Sequence, residues 1–155
     1  MSEHIHKRHN VSLIMYHFVS TVKYRKSILS QEIEKTIKHI CQEISERYEI
    51  IFLEIGTDQN HIHFLIQGVP KLSPTQIITT VKSILAREIF KIHPQVKKQL
   101  WGGQFWTDGF YVNTVSKYGG EKQIERYIQN QGKNHKTEYK TIHKNNTLDL
   151  FETLN

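Results

Sequence analysis

Hydrophobic residues in this chain follow two spacings, one typical of strands and one of helices. Four segments are rich in β-branched and aromatic residues, and they predict strands at residues 10–22, 49–56, 61–68 and 109–116. Between the first two segments, isoleucines recur at steps of three and four, at Ile33, Ile37, Ile40 and Ile44. This spacing predicts a helix over 31–48, with Ser30 as its N-cap.

A second helix is predicted to start at Ser73. Ser73 is a suitable N-cap, Pro74 suits the first helical position, and Gln76 completes a capping box. The apolar positions of this segment continue at helical spacing beyond residue 85. A third helix is predicted over 120–131, and Gly132 ends it.

The predicted element order is β-α-β-β-α-β followed by one more helix. This order indicates an α+β fold: a ferredoxin-like, RRM-like sandwich with a four-stranded antiparallel sheet and helices on one face. In that topology the first and third strands are central. We expect a flexible basic head at 1–9, one domain at 10–132, and a polar tail at 133–155 that could include a short docked helix.

Composition narrows the class of protein. The 155 residues suit one domain, and a single cysteine, Cys41, excludes an internal disulfide. No apolar run is long enough to span a membrane, and the N-terminus lacks a signal peptide's apolar region. We therefore expect a cytoplasmic protein, at the nucleoid, with no membrane partner. The net charge of +6 suits a nucleic-acid partner but is equally compatible with a merely basic surface.

The tripeptide His-Ile-His occurs twice, at residues 4–6 and 61–63. The first copy lies in the charged head, where we expect no regular structure. In the second copy, strand alternation places His61 and His63 on the sheet face opposite the helices. We expect both side chains to point outward, either as ligands of one cation or as exposed polar residues.

The predicted third helix carries Tyr127 and Gln131, which are four residues apart and so share one helix face. If this helix crosses the outer sheet face, Gln131 could offer an oxygen to a cation beside the histidines. Taken alone, Tyr127 is better interpreted as a packed helix tyrosine and Gln131 as a solvated glutamine.

Several segments together resemble the single-tyrosine HUH transposases of the smallest prokaryotic insertion sequences, including REP-associated tyrosine transposases. The similarity spans roughly residues 10–132. It rests on four segments in family order, YHFVSTVKYRKSIL, NHIHFLIQ, LWGGQFWTDGFYVNTVS and QIERYIQNQ. The pattern His-hydrophobic-His is common by itself, but it is specific in combination with Tyr-x-x-x-Gln and the tryptophan-rich segment.

The resemblance implies residue roles. His61, His63 and Gln131 match ligands of a divalent metal, Mg²⁺ or Mn²⁺, and Tyr127 matches the nucleophile that attacks single-stranded DNA. Family members are homodimers that recognise a DNA hairpin, and the last helix is catalytic. No nucleotide cofactor is expected, because there is no phosphate-binding glycine loop. Asn60 departs from the family pattern, which commonly has an acidic residue before the first histidine.

Candidate DNA-binding residues follow from charge. Lys23, Tyr24 and Arg25 come directly after the first strand, while Lys82 and Arg87 lie on the polar side of the second helix. Trp106 could stack on a base or belong to the core. Two alternatives remain open at this point: a domesticated relative that acts on chromosomal hairpin repeats, and a non-catalytic nucleic-acid-binding module.

Overall fold

The computed structural model describes residues 3–116 and Arg126. Six strands lie in this part of the chain: β1 (Ile5–His6), β2 (Val11–Ser12), β3 (Ile14–Thr21), β4 (Ile51–Asp58), β5 (His61–Gly68) and β6 (Tyr111–Val115). The helices are α1 (Gln31–Arg47), α2 (Pro74–Ile92) and α3 (Pro94–Gln99). The predicted third helix and the tail lie outside the described residues.

The two predicted helices form where their capping residues place them. Ser30 caps α1 by accepting a hydrogen bond from the Ile33 amide. Ser73 and Gln76 form the reciprocal capping box of α2, and Pro74 occupies its first turn. These side chains satisfy amide donors that a helix start leaves without partners, and so they fix where each helix begins.

The main sheet has four antiparallel strands in the order β4-β5-β3-β6. The first and third strands of the ferredoxin-like unit, β3 and β5, are therefore central, as predicted. Their register pairs Phe18 with Phe64 and Thr21 with His61. The predicted α+β ferredoxin-like sheet is thus confirmed.

Both long helices cover one face of this sheet. The inward residues of β5 are Ile62, Phe64 and Ile66, and they share one apolar cluster with the buried stripes of α1 and α2. Each fully buried aliphatic or aromatic side chain contributes roughly 1.5–3 kcal/mol to folding. Because alternate residues of β5 pack into this core, the residues between them point to the opposite face of the sheet.

The N-terminal head differs from the prediction. Ile5 and His6 pair with Val11 and Ser12 in a short antiparallel ladder, so the expectation of no regular structure around the first His-Ile-His is wrong for these residues. The strand predicted over 10–22 is accordingly divided, because Val11–Ser12 pairs with the head while Ile14–Thr21 joins the main sheet. Short ladders of this kind depend on tertiary contacts that local composition does not reveal.

Three smaller features complete the fold. Helix α3 follows α2 directly, with Pro94 in its first turn. Cys41 is buried in the helical core, and burial raises the pKa of its thiol, as expected for a structural cysteine. Within residues 3–116, no helix combines the length and apolar character that crossing a membrane requires.

Candidate active site on the outer face of the sheet

The second His-Ile-His lies on central strand β5, where its two histidines share a face. Ile62 and Phe64 point into the helical core, so His61 and His63 point away from the helices, as strand alternation predicts. The centroids of the two imidazole rings are 5.2 Å apart, and the ring planes are inclined at 64°. The sequence correctly predicts which face these side chains occupy.

The expectation that the His61 and His63 side chains are exposed is wrong. His61 is 7% exposed and His63 is 0% exposed, and Leu65 on the same face is also buried. At one end of this face, the Gln67 amide donates a 2.7 Å hydrogen bond to the carbonyl oxygen of Glu3, so the N-terminal segment covers that end. Alternation predicts the direction of a side chain, but it does not tell what packs over it.

A chain of hydrogen bonds orients His63. The Asn113 side-chain amide donates to the carbonyl oxygen of Thr114 at 3.1 Å, so its Oδ1 faces His17. That oxygen can only accept, and His17 Nδ1 therefore donates to it, at 3.1 Å. His17 Nε2 then accepts from His63 Nδ1 at 3.0 Å. This order places the ring lone pair of His63 on Nε2, the nitrogen that a metal would take.

His17 and Asn113 were not singled out by the sequence analysis. His17 lies on β3, where it pairs with Leu65 of β5 on one side and with Asn113 of β6 on the other. The two histidine rings are nearly parallel, with centroids 5.2 Å apart. The available signal was that period-two alternation puts His17 on the outer face of a central strand.

His61 is held by its own neighbours. Asn60 Oδ1 accepts a hydrogen bond from His61 Nδ1 at 2.7 Å, and Asp58 Oδ2 lies 3.7 Å from His61 Nε2. Asp58 is itself fixed, because its Oδ1 accepts from the Gln59 amide at 2.7 Å. Asn60, which departs from the family pattern, thus orients the ring through an amide oxygen.

The described residues fit part of a metal site. His61 and His63 each have Nδ1 engaged by a neighbouring side chain, and imidazole nitrogens are suitable donors for a divalent cation. Within residues 3–116, no group of three or more His, Cys, Asp or Glu side chains could hold a metal. The sequence-based prediction for a third ligand is Gln131. Gln131 and the predicted nucleophile Tyr127 both lie outside the described residues.

Three of the predicted DNA-binding residues lie near the histidines. Lys23, Tyr24 and Arg25 form a short 3₁₀ turn directly after β3. The preceding residue, Val22, donates its amide proton to the Asn60 carbonyl at 2.8 Å. The turn therefore begins beside the end of β5 that carries His61.

Lys82 instead stabilises a loop. Its ammonium group donates to the carbonyl oxygens of Thr107 and Gly109, at 3.1 and 2.7 Å. Burial lowers the pKa of Lys82, and the charge of Asp108 opposes this shift. Trp106 donates its indole proton to the Lys82 carbonyl at 2.9 Å and is only 7% exposed, so it belongs to the core.

Arg87 lies apart from the other candidates. It is exposed on α2, where its guanidinium contacts Glu88 at 3.4 Å. With Arg47 at the end of α1 and Tyr48 just after it, Arg87 lines a depression on the helical layer. This is the sheet face opposite to His61 and His63, so the structure does not bring Arg87 to the candidate site.

Comparison with known proteins identifies the family. Residues 10–131 match the family model described as IS200-like transposase. The chain belongs to the IS200-like transposase family. This transposase is 33% identical to the ISDra2 transposase TnpA of Deinococcus radiodurans over 118 residues, which are 75% of this chain and 82% of that protein. It is 28% identical to the transposase for insertion sequence element IS200 of Salmonella typhimurium, over 75% of each chain.

Solved structures share the fold of this transposase. A crystal structure of a Deinococcus radiodurans chain assigned as a transposase superposes with a TM-score of 0.67 at 27% identity, covering 86% of this chain and 99% of that one. The structure of a REP-associated tyrosine transposase bound to a REP hairpin superposes with a TM-score of 0.58, over 84% and 72% of the two chains. At 13% identity, this second likeness concerns the fold alone.

Proposed function

We propose that this transposase binds single-stranded DNA containing a hairpin, and that it cleaves and rejoins one strand through a metal-dependent 5′-phosphotyrosine intermediate. The observation that carries the proposal is the pair His61 and His63. Both rings lie on the outer face of a central strand, and a neighbouring side chain engages Nδ1 of each ring. A chain that only bound DNA would have no need of two imidazoles oriented in this way.

His61, His63 and Gln131 would hold the divalent cation. Bound Mg²⁺ or Mn²⁺ would neutralise charge that develops on the scissile phosphate and orient that phosphate for in-line attack. Two imidazoles with an amide oxygen suit either ion, and the nitrogen donors favour Mn²⁺ slightly. The protein's contribution is to keep both rings rigid, which the contacts from His17 and Asn60 support.

Tyr127 would supply the nucleophile. Its hydroxyl loses a proton as the oxygen attacks the phosphorus, the bond between phosphorus and the 3′ oxygen breaks, and the departing 3′ oxygen takes up a proton, so that no net proton is gained or lost. The 5′ phosphate then remains esterified to Tyr127. This ester conserves the free energy of the phosphodiester bond that was broken. A 3′-hydroxyl from another strand can therefore attack it, release Tyr127 and join new ends. No nucleotide cofactor takes part.

The substrate proposal rests on charge and on relatives. The turn of Lys23, Tyr24 and Arg25 beside the histidines offers cationic and aromatic contacts to a DNA strand. A structural neighbour is bound to a REP hairpin, which supports a hairpin substrate here. We also propose a homodimer, which light scattering of the purified protein would test directly.

A role in mobile-element transposition is favoured over a domesticated role. The sequence relatives at 33% and 28% identity are transposases of insertion sequences, whereas the neighbour bound to a REP hairpin is only 13% identical. The DNA flanking the gene distinguishes the two roles, because subterminal hairpins at both ends indicate a mobile element.

The proposal is tested by a cleavage assay on labelled single strands taken from the gene's own flanks. We expect cleavage 3′ or 5′ of the hairpin with Mn²⁺, loss of cleavage with EDTA, and recovery when Mn²⁺ is restored. The product that leaves should carry a free 3′-hydroxyl, which terminal transferase can extend. Cleavage that persists in EDTA, or a 3′-phosphate product, would contradict the proposal.

A further inference from the structure

Two aromatic side chains are exposed at adjacent positions outside the candidate site. Trp101 is 83% exposed and Tyr24 is 52% exposed. Although they are 77 residues apart in sequence, the Tyr24 hydroxyl donates to the Trp101 carbonyl oxygen at 3.4 Å. Tryptophan is highly buried on average, so a tryptophan this exposed next to a second exposed ring indicates a binding surface.

The backbone holds both rings outward. Tyr24 and Arg25 have φ angles of 60° and 51°, a left-handed conformation that residues with a Cβ rarely adopt. The Lys23 amide fixes this turn by donating to the Phe105 carbonyl at 2.8 Å. Trp101 precedes Gly102, whose φ of 87° lets the chain reverse there. Strained backbone of this kind concentrates at functional sites.

Cationic residues lie beside the Tyr24 ring and on the helix that precedes Trp101. The Lys23 ammonium lies 5.7 Å from the centroid of the Tyr24 ring, and Arg25 follows directly. Lys97 and Lys98 are exposed on α3 just before Trp101. Neither segment, 22–27 or 97–104, contains an acidic residue. This combination of cations and exposed rings suits a single-stranded nucleic acid. The cations can contact its phosphates, and the rings can stack on its unpaired bases.

This surface adjoins the histidine pair. Thr21 is the strand partner of His61, and the Val22 amide donates to the Asn60 carbonyl oxygen. The turn therefore begins two residues after the residue that pairs with a predicted metal ligand. A strand lying on Tyr24 and Trp101 would therefore continue towards His61.

We propose that Lys23, Tyr24, Arg25, Lys97, Lys98 and Trp101 form a stacking platform for unpaired bases of the single strand that flanks the hairpin. Trp101 and Tyr24 stack on bases, and the four cations contact phosphates. Duplex DNA fits this surface less well, because its bases are already stacked on one another. This proposal deepens the proposed function and rests on it.

Tryptophan fluorescence gives a direct test, because the chain has only two tryptophans and Trp106 is buried. The probes are a blunt DNA hairpin and the same hairpin with an oligothymidine flank. We expect the flanked hairpin to quench emission and to bind more tightly than the blunt one. Trp101→Phe should remove most of the quenching, which assigns the signal to Trp101.

The decisive quantity is the ratio of the two affinities. Trp101→Ala should reduce the advantage of the flanked hairpin about tenfold or more, since removing an aromatic ring that stacks on a base typically costs that much. Tyr24→Leu should act in the same direction. Replacing both Lys97 and Lys98 with Gln should flatten the salt dependence of flanked-hairpin binding by about 0.7 per lost phosphate contact.

Tyr48→Ala is the matched control, because Tyr48 is an exposed aromatic residue at the end of α1, on the helical layer. It should retain the wild-type ratio. The stacking-platform proposal is overturned if the wild type binds both hairpins equally, or if Trp101→Ala keeps the full preference for the flanked hairpin. In either case, binding of the hairpins would still support the proposed function. Equal quenching by oligoglutamate would also overturn it, by showing a general polyanion surface. Failure to bind either hairpin would overturn both proposals.

Discussion

His17 Nε2 lies 3.0 Å from His63 Nδ1, and this contact joins the two central strands on the outer face of the sheet. Asn113 on the edge strand β6 holds the far nitrogen of His17. Three strands thus contribute to the orientation of one imidazole. A ligand fixed in this way loses little conformational entropy when a metal binds, and its tautomer is already correct.

Replacing His17 should weaken metal binding without removing a ligand. We expect His17→Phe to raise the Mn²⁺ dissociation constant about 10- to 100-fold, because loss of an orienting partner typically has this effect. Phe retains the ring volume and so limits packing changes. Isothermal titration calorimetry measures the constant.

The control for His17 is His39→Phe, since His39 is exposed on α1, where its ring lies beside Glu43 of the same helix. It should bind Mn²⁺ like the wild type. Asn113→Ala should weaken binding in the same direction as His17→Phe but less. If His17→Phe kept wild-type affinity, the hydrogen-bond chain would have no role in metal binding.

His63 has a structural role as well as its proposed chemical one. It is fully buried, so His63→Ala should lower the free energy of unfolding by about 1–3 kcal/mol, because buried His17 Nε2 loses its partner. Chemical denaturation measures this change, and the same variant should lose metal-dependent cleavage. An unchanged denaturation midpoint would mean that the ring is exposed in solution.

Glu49 should titrate far below its ordinary range. Hydrogen bonds from Lys7 and Lys71 lower its pKa from 4.5 to about 2, and Lys71 Nζ lies 2.5 Å from its carboxylate. Since the folded-state pKa is depressed, the stability from these contacts is present above pH 4.5 and is lost as the pH falls through about 2. Lys7 belongs to the head, so the contact also ties the β1–β2 ladder to the domain.

Carboxyl chemical shifts of Glu49 in an NMR pH titration test this directly. Lys71→Met should move the midpoint upward, towards 4.5, whereas Lys38→Met should leave it unchanged because Lys38 pairs with Glu34. A wild-type midpoint near 4.5 would show that the two lysines do not hold Glu49.

Lys82 and Arg87 should behave differently, although the sequence suggested one role for both. Lys82→Ala should lower the free energy of unfolding by about 1–2 kcal/mol, because two loop carbonyls lose a charged donor. Arg87→Ala should change neither stability nor affinity for hairpin DNA, since Arg87 lies on the opposite layer. A marked loss of DNA affinity in Arg87→Ala would place DNA on the helical face.

Local signals predicted the framework of this fold well. The capping box at Ser73 and the isoleucine stripe of α1 are encoded within a few residues, and both fix their helices as expected. Alternation in β5 likewise predicted the shared face of His61 and His63. Each of these depends only on neighbours in sequence.

Features that depend on distant segments were missed. The contact of His17 with His63 requires the register between strands whose contacting residues are 46 positions apart, and no local pattern encodes it. The burial of His63 depends on what covers the outer face, and the different environments of Lys82 and Arg87 depend on where the 107–109 loop packs. Tertiary packing decides all three.

The measurement that tests the central claim most directly is mass spectrometry of the protein–DNA adduct. The protein is incubated with Mn²⁺ and hairpin-containing single strands from its gene's flanks, then denatured and digested. We predict a peptide carrying a nucleotide 5′ phosphate on Tyr127, absent with EDTA and in Tyr127→Phe, which should still bind the hairpin. An adduct on another residue, or strand cleavage that persists in Tyr127→Phe, would contradict the account.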